Sequence, residues 1–305
     1  MIRRLCWFSS ALSVAFFLAA YILPEPVLIP AEILCGSGLL LLSRFLQGKN
    51  RPRAVLAAAG LALGLLWYSC YGFFFKAPAH AYISDEAIGY TMEVADFPTE
   101  TSYGYSLTVR LQQNGKNGPK VRLYAGWEAM ELSPGDVISA SVRLSPSDQI
   151  HGDTVDYFDS KGIYLLGYTR GEVALLEKPA LPPVRYWPQI VSKALKDVVL
   201  EVFPDDVSGY TVALLTGDKD LLPTGLYAAF KRAGISHIVA VSGLHLTFFI
   251  GVFVALFGKR NRLAAIASIL LVFFYAAVAG NSPSALRAAI MTGILFLAQL
   301  TRREE

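Results

Sequence analysis

The feature that most constrains this chain is a series of long apolar runs with almost no charge. A helix needs about 20 mostly apolar residues to cross the hydrocarbon of a bilayer, and Leu5 to Leu23 reads LCWFSSALSVAFFLAAYIL without one charge. A looser second run, AEILCGSGLLLLSRFL, follows, and a third, AVLAAAGLALGLLWYSCYGFFF from Ala54 to Phe75, closes in aromatic residues suited to a membrane interface. Three more candidate spans close the chain: HIVAVSGLHLTFFIGVFVALFG, LAAIASILLVFFYAAVAG and SALRAAIMTGILFLAQL. Composition agrees, with 54% hydrophobic and 17% charged residues against about 45–50% and 25% in soluble domains. Arg3 and Arg4 would also suit a signal peptide, but no small-x-small cleavage site follows and a second apolar run begins at once, so a membrane anchor is expected.

Between the two apolar blocks the chemistry changes. Residues 81–180 carry 8 Lys and Arg against 14 Asp and Glu, so the middle is acidic and its flanks basic. Its stretches YSLTVRLQQ, KVRLYAG and DVISASVRL alternate in polarity and are divided by NGKNG, SPGD and SPSD, which reads as strands and turns. Four or five short strands in about 100 residues suit a small Greek-key barrel of the OB type, with a sandwich as the alternative. The expected fold is therefore a polytopic α-helical membrane protein with an inserted small all-β, OB-like barrel domain. Cys6, Cys35 and Cys70 all lie in apolar runs, so packing is their expected role and no disulfide can staple the barrel. Gly60 and Gly64 form a GxxxG step that lets another helix approach closely.

After the connector KPALPPVRYWP, the segment VSKALKDVVLEVF sets Val191, Leu195, Val198 and Val202 at helical spacing beside Lys193, Lys196, Asp197 and Glu201, as in a helix lying on a membrane surface. Asp205 and Asp206 are expected to cap a following short helix, and Pro223 to open another that ends at Gly234. Basic clusters at Arg3 and Arg4, at Arg44, Lys49, Arg51 and Arg53, at Lys259, Arg260 and Arg262, and at Arg302 and Arg303 fall at alternate ends of six spans. Positive charge stays inside, so both termini are expected in the cytoplasm and the barrel outside the cytoplasmic (inner) membrane. The expected division is three spans in 1–76, the extracytoplasmic barrel in 77–180, interfacial helices in 181–234 and three further spans in 235–305.

The most specific string is LLTGDKDLLPTGLYAAFKRAGISHIVAVSGLHLTFFIG, Leu214 to Gly251. It resembles the core of the ComEC (Rec2-type) competence family, whose Ser-Gly-Leu-His signature corresponds to Ser242, Gly243, Leu244 and His245, preceded by His237 and Ala240-Val241. A second correspondence is Gly280, Pro283, Arg287 and Ala288, and a third is VDYFDSKGIYLLGY, similar to the closing strand region of the family's OB-like domain. The resemblance implies a channel component for uptake of single-stranded DNA in natural transformation. Its implied partners are single-stranded DNA, the lipid bilayer, a DNA receptor outside, and an ATPase or DNA-binding proteins inside, with homo-oligomerisation open. Family members usually continue into more helices and often a metallo-β-lactamase-like domain with His-x-His-x-Asp-His; this sequence ends in TRREE and has no such cluster among its four histidines. A fragment or a short relative is therefore expected, with no enzymatic role, cofactor or metal.

The conduit candidates are His237, Ser242, Gly243, His245 and Arg287. Ser242 and His245, three residues apart, share a helix face, and two histidines alone do not make a zinc site. An arginine near the bilayer is costly unless it faces water, a partner or a phosphate. In the barrel, Arg110, Lys120 and Arg122 are candidate DNA contacts, whereas Tyr103, Tyr105, Tyr124, Trp127 and Tyr157 are expected in the core. Two rival readings are a membrane-anchored nucleic-acid-processing enzyme, whose catalytic domain this sequence would lack, and an assembly protein whose acidic barrel binds another protein.

Overall fold

A computed structural model describes residues 2–23, 30, 37–38, 50–113, 116–150, 153–154, 157–235, 248, 251 and 262–300. Among these described residues nine strands form two sheets: β1 Ser84–Val94, β2 Thr99–Thr101, β3 Gly104–Gln113, β4 Lys116–Ala125, β5 Val137–Pro146, β6 Gln149–Ile150, β7 Asp153–Thr154, β8 Ile163–Thr169 and β9 Ala174–Glu177. The main sheet runs β1-β3-β4-β8-β5-β9, and a further β1–β5 pairing closes its first five strands into a barrel. β4 and β8 pair in parallel, whereas β5 and β8 are antiparallel. This order, with a parallel pair between strands that are not neighbours in sequence, is an OB-like barrel. The chain divides into two compact units, 1–90 with 110–124 and 141–171, and 91–109 with 125–140 and 172–305.

In the first unit, α1 (Ile2–Tyr21) packs on α2 (Asn50–Tyr71). The contact is made by absence of side chain: the Phe8 carbonyl occupies the space a Cβ at Gly60 would need, and a Cβ at Gly64 would lie 2.6 Å from that of Ala15. The GxxxG step is thus a packing step, closed by buried Ala15, Ala19 and Leu65. α2 continues through a π-helical turn, Gly72–Lys76, into Ala77–His80. The resulting helix Pro52–His80 is the one helix among the described residues long and apolar enough to cross a membrane. At 1.5 Å per residue it is about 43 Å long, and it leaves Trp67, Phe73, Phe74 and Phe75 exposed. Cys6 is exposed rather than packed inside, a correction to the role expected for it. The barrel strands of this unit bury Leu111, Val121, Leu123, Val142, Leu144 and Leu165.

In the second unit, Met92, Val94, Leu107, Val109 and Ile138 are buried. Five helices follow among the described residues: α3 Trp187–Val202, α4 Asp205–Thr216, α5 Thr224–Arg232, α6 Arg262–Val278 and α7 Pro283–Leu300. Pro204, not an aspartate, takes the N-cap of α4; Asp205 and Asp206 sit in its first turn without a side-chain cap bond, where their charge still favours the helix dipole. Gly217 and Gly234 adopt the left-handed conformation that ends α4 and the α5 segment. Leu5–Tyr21, Leu263–Val278 and Pro283–Ala298 are shorter apolar helices. The expected second and fourth spans fall almost wholly outside the described residues.

The expected aromatic core is corrected. Tyr103 is 94% exposed, and Trp127 and Tyr157 are exposed as well; Tyr105 and Tyr124 are half-buried. Tyr103, Trp127 and Tyr157 occupy connections, whereas the small barrel is filled by aliphatic residues of its strands.

Candidate nucleic-acid interface

His237, Ser242, Gly243 and His245 lie outside the described residues. Arg287 does not. Gly280 and Asn281 both take positive φ, 67° and 52°, which reverses the chain after α6, and Pro283 opens α7. The Ala285 N–H donates to Ser282 Oγ at 3.4 Å, a capping contact. Ala285, Ala289 and Phe296 then pack into one cluster with Ala265, Val272 and Ala276 of α6. Arg287, two residues and about 200° round from Ala285, is exposed. Its neighbours outward are apolar: Leu286, Ile290, Met291 and Ile294 are all exposed.

The helices leading to this segment are tied together by polar contacts. The Tyr275 hydroxyl donates to the Leu215 carbonyl at 2.9 Å, fixing α6 to the end of α4. Lys196 of α3 pairs with Asp218, so this carboxylate is engaged by a lysine rather than reserved for Arg287. Gly209 leaves room for the Leu221 carbonyl where a Cβ would otherwise sit, folding the LTGDKDLLP loop back on α4. Among the described residues no three of His, Cys, Asp and Glu converge as a metal site requires.

In the barrel, Lys120, Arg122 and Tyr124 alternate along β4 with buried Val121, Leu123 and Ala125, so they share one face. Arg110 is half-buried on β3, and its Nε is enclosed without a hydrogen-bond partner. Four residues not singled out from the sequence, Arg143, Ser145, Tyr168 and Arg170, border one hollow. The period-two spacing of Arg143 with Ser145 and of Tyr168 with Arg170 was the available signal. Burial, then Tyr124, pushes the Tyr168 phenol up, so it stays protonated. Three further contacts anchor α2 and the π-helical turn that continues it to the barrel within their unit. The Tyr71 and Tyr164 hydroxyls share a hydrogen bond, and Lys76 reaches Asp148 at 2.9 Å and Asp159 at 3.3 Å.

An OB-like barrel joined to helices with apolar outer surfaces defines the class of protein. Residues 214–305 match the family described as "Competence protein". The chain is 35% identical over 108 residues, 33% of its length, to ComE operon protein 3 of Bacillus subtilis, of which this covers 13%. It is 22% identical over 235 residues, 75% of its length, to Recombination protein 2 of Haemophilus influenzae, of which this covers 28%. The chain thus spans less than a third of either relative. No solved structure matches it significantly.

Proposed function

We propose that this protein is a multi-pass component of the cytoplasmic membrane that conducts single-stranded DNA inward during natural transformation. The observation that carries the reading lies in the competence-family segment, where Arg287 is an exposed cation on an α7 surface otherwise set with Leu286, Ile290, Met291 and Ile294. Water does not favour such an apolar surface, and lipid does not favour a lone guanidinium. A wet conduit that admits phosphate accommodates both. Six spans in 1–76 and 235–305, an extracytoplasmic barrel in 77–180 and interfacial helices in 181–234 complete the arrangement. His237, Ser242, Gly243 and His245 join Arg287 along the path, with Arg110, Lys120 and Arg122 as barrel contacts. Its partners are single-stranded DNA, lipid and other competence proteins on either side, and its role is transport rather than catalysis.

Uptake of labelled DNA, measured separately from surface binding, tests this. Cells lacking the gene should bind DNA at the surface as before yet accumulate almost none inside. Normal accumulation would remove the proposal.

A further inference from the structure

The hollow bordered by Arg143, Ser145, Tyr168 and Arg170 has a volume of about 490 Å³. Strand register builds it. Arg143 of β5 stands opposite Tyr168 of β8, and Tyr168 stands opposite Tyr124 of the parallel strand β4. The two phenol rings stack at 5.3 Å with planes 12° apart, so Tyr168, 44% exposed, is a ring held from behind. Arg170 is fixed at its backbone, where its N–H donates to the Ser141 carbonyl at 2.8 Å. Arg122, two residues before Tyr124, lies on the same side of β4.

Arg143 is held 2.9 Å from Asp85, whose side chain is 97% exposed. A hydrated surface pair of this kind is weak, and a phosphate offers the guanidinium the same planar, bidentate bond. A supported aromatic ring between guanidinium groups has the two elements that bind an unpaired strand: a face for the base and cations for the backbone. A duplex keeps its bases stacked inside and cannot use the ring. Five-stranded barrels of this type commonly bind oligonucleotides on their second and third strands, here β3 and β4; this hollow lies on the adjoining strands β8 and β5.

The geometry points to a single-stranded DNA subsite on the β5–β8 flank, in which Tyr168, backed by Tyr124, takes one base and Arg143 and Arg170 take its flanking phosphates. It rests on the proposed DNA-conducting function and gives the barrel a contact outside the membrane path. The acidic balance of residues 81–180 keeps the hold weak, as a strand in transit requires.

The test uses the full chain in nanodiscs of uncharged lipid, with a fluorescent oligo-dT of about 12 nucleotides and salt raised from about 50 to 200 mM. Arg143→Gln with Arg170→Gln should weaken binding at least about tenfold at low salt and flatten the slope of log affinity against log salt by about 1.4, at about 0.7 per phosphate. Tyr168→Leu should weaken binding by about 5- to 150-fold with the slope unchanged. Arg143→Lys should restore most of the slope. That split between affinity and slope is not what a merely damaged barrel would give. Wild-type binding by the double variant overturns the subsite. If the barrel variants bind normally while Arg287→Gln abolishes uptake, the subsite falls and the proposed function stands. If the wild-type chain binds no oligo-dT and cells without the gene take up DNA normally, both fall.

Discussion

Arg185→Met should destabilise the second unit well beyond the cost of breaking a surface ion pair. Arg185 lies in the turn Val184–Tyr186 that leads into α3 and pairs with Glu93 of β1 through both carboxylate oxygens. The Glu93 side chain is 5% exposed and that of Arg185 42%. The hydrogen bond to Glu93 pushes the arginine further up from its ordinary range, so the pair is charged on the cationic side at every working pH. An exposed pair contributes about 0.2–1 kcal/mol, whereas removing one partner of a fully buried pair costs about 3–5 kcal/mol. Here the anion is buried and the cation sits at the water boundary, so the carboxylate left behind can be only partly rehydrated. The expected cost lies between those limits, about 2 kcal/mol. Methionine keeps the apolar stem over Tyr186, whose ring the guanidinium overlies at 4.9 Å, so the loss is mainly electrostatic. The melting temperature, followed by tryptophan fluorescence of the full chain, should fall by about 4–8 °C. Glu93→Gln removes the charge that needs a partner, so adding Arg185→Met to it should cost much less, with a coupling of about 1–2 kcal/mol in the double-mutant cycle. Strictly additive costs, or an Arg185→Met within about 0.5 kcal/mol of wild type, would refute the reasoning.

Gly60→Leu should separate α1 from α2, because the Phe8 carbonyl blocks the new side chain and the Ala11 Cβ lies only 3.2 Å from where its first carbon would stand; overpacking of this kind costs about 1–3 kcal/mol, seen as lower membrane levels and faster proteolysis, and unchanged levels would place the packing elsewhere. Arg287→Gln should keep normal membrane levels with DNA uptake strongly reduced, and Arg287→Lys should be partly tolerated because ammonium lacks the bidentate fork; loss of the protein itself would mark a structural ion pair, and unchanged uptake an interface residue. A cysteine replacing the exposed Tyr103, in a background without Cys6, Cys35 and Cys70, should react with an impermeant thiol reagent in intact cells; reaction only after lysis would reverse the topology.

Local spacing was enough to read several features of this protein from its sequence. The apolar run that became Pro52–His80, the alternation that became β3, β4 and β5, the close approach at Gly60 and Gly64 and the stop at Gly234 each depend on residues a few positions apart, where helix and strand periods act directly. β1 was not legible in this way, since its burial runs from an exposed first half to buried Met92, Glu93 and Val94 without alternation. Nor was the exposure of Tyr103, Trp127 and Tyr157, because aromatic character suits a core and a surface equally until the volume inside the barrel is known. The tertiary structure alone decided which strands are neighbours. Glu93 meets Arg185 across 92 residues, and Tyr124, Arg143 and Tyr168 share a row only because β8 inserts between β4 and β5. Such pairings follow from chain closure and register, which depend on the whole barrel burying its aliphatic face at once, and no local period encodes them.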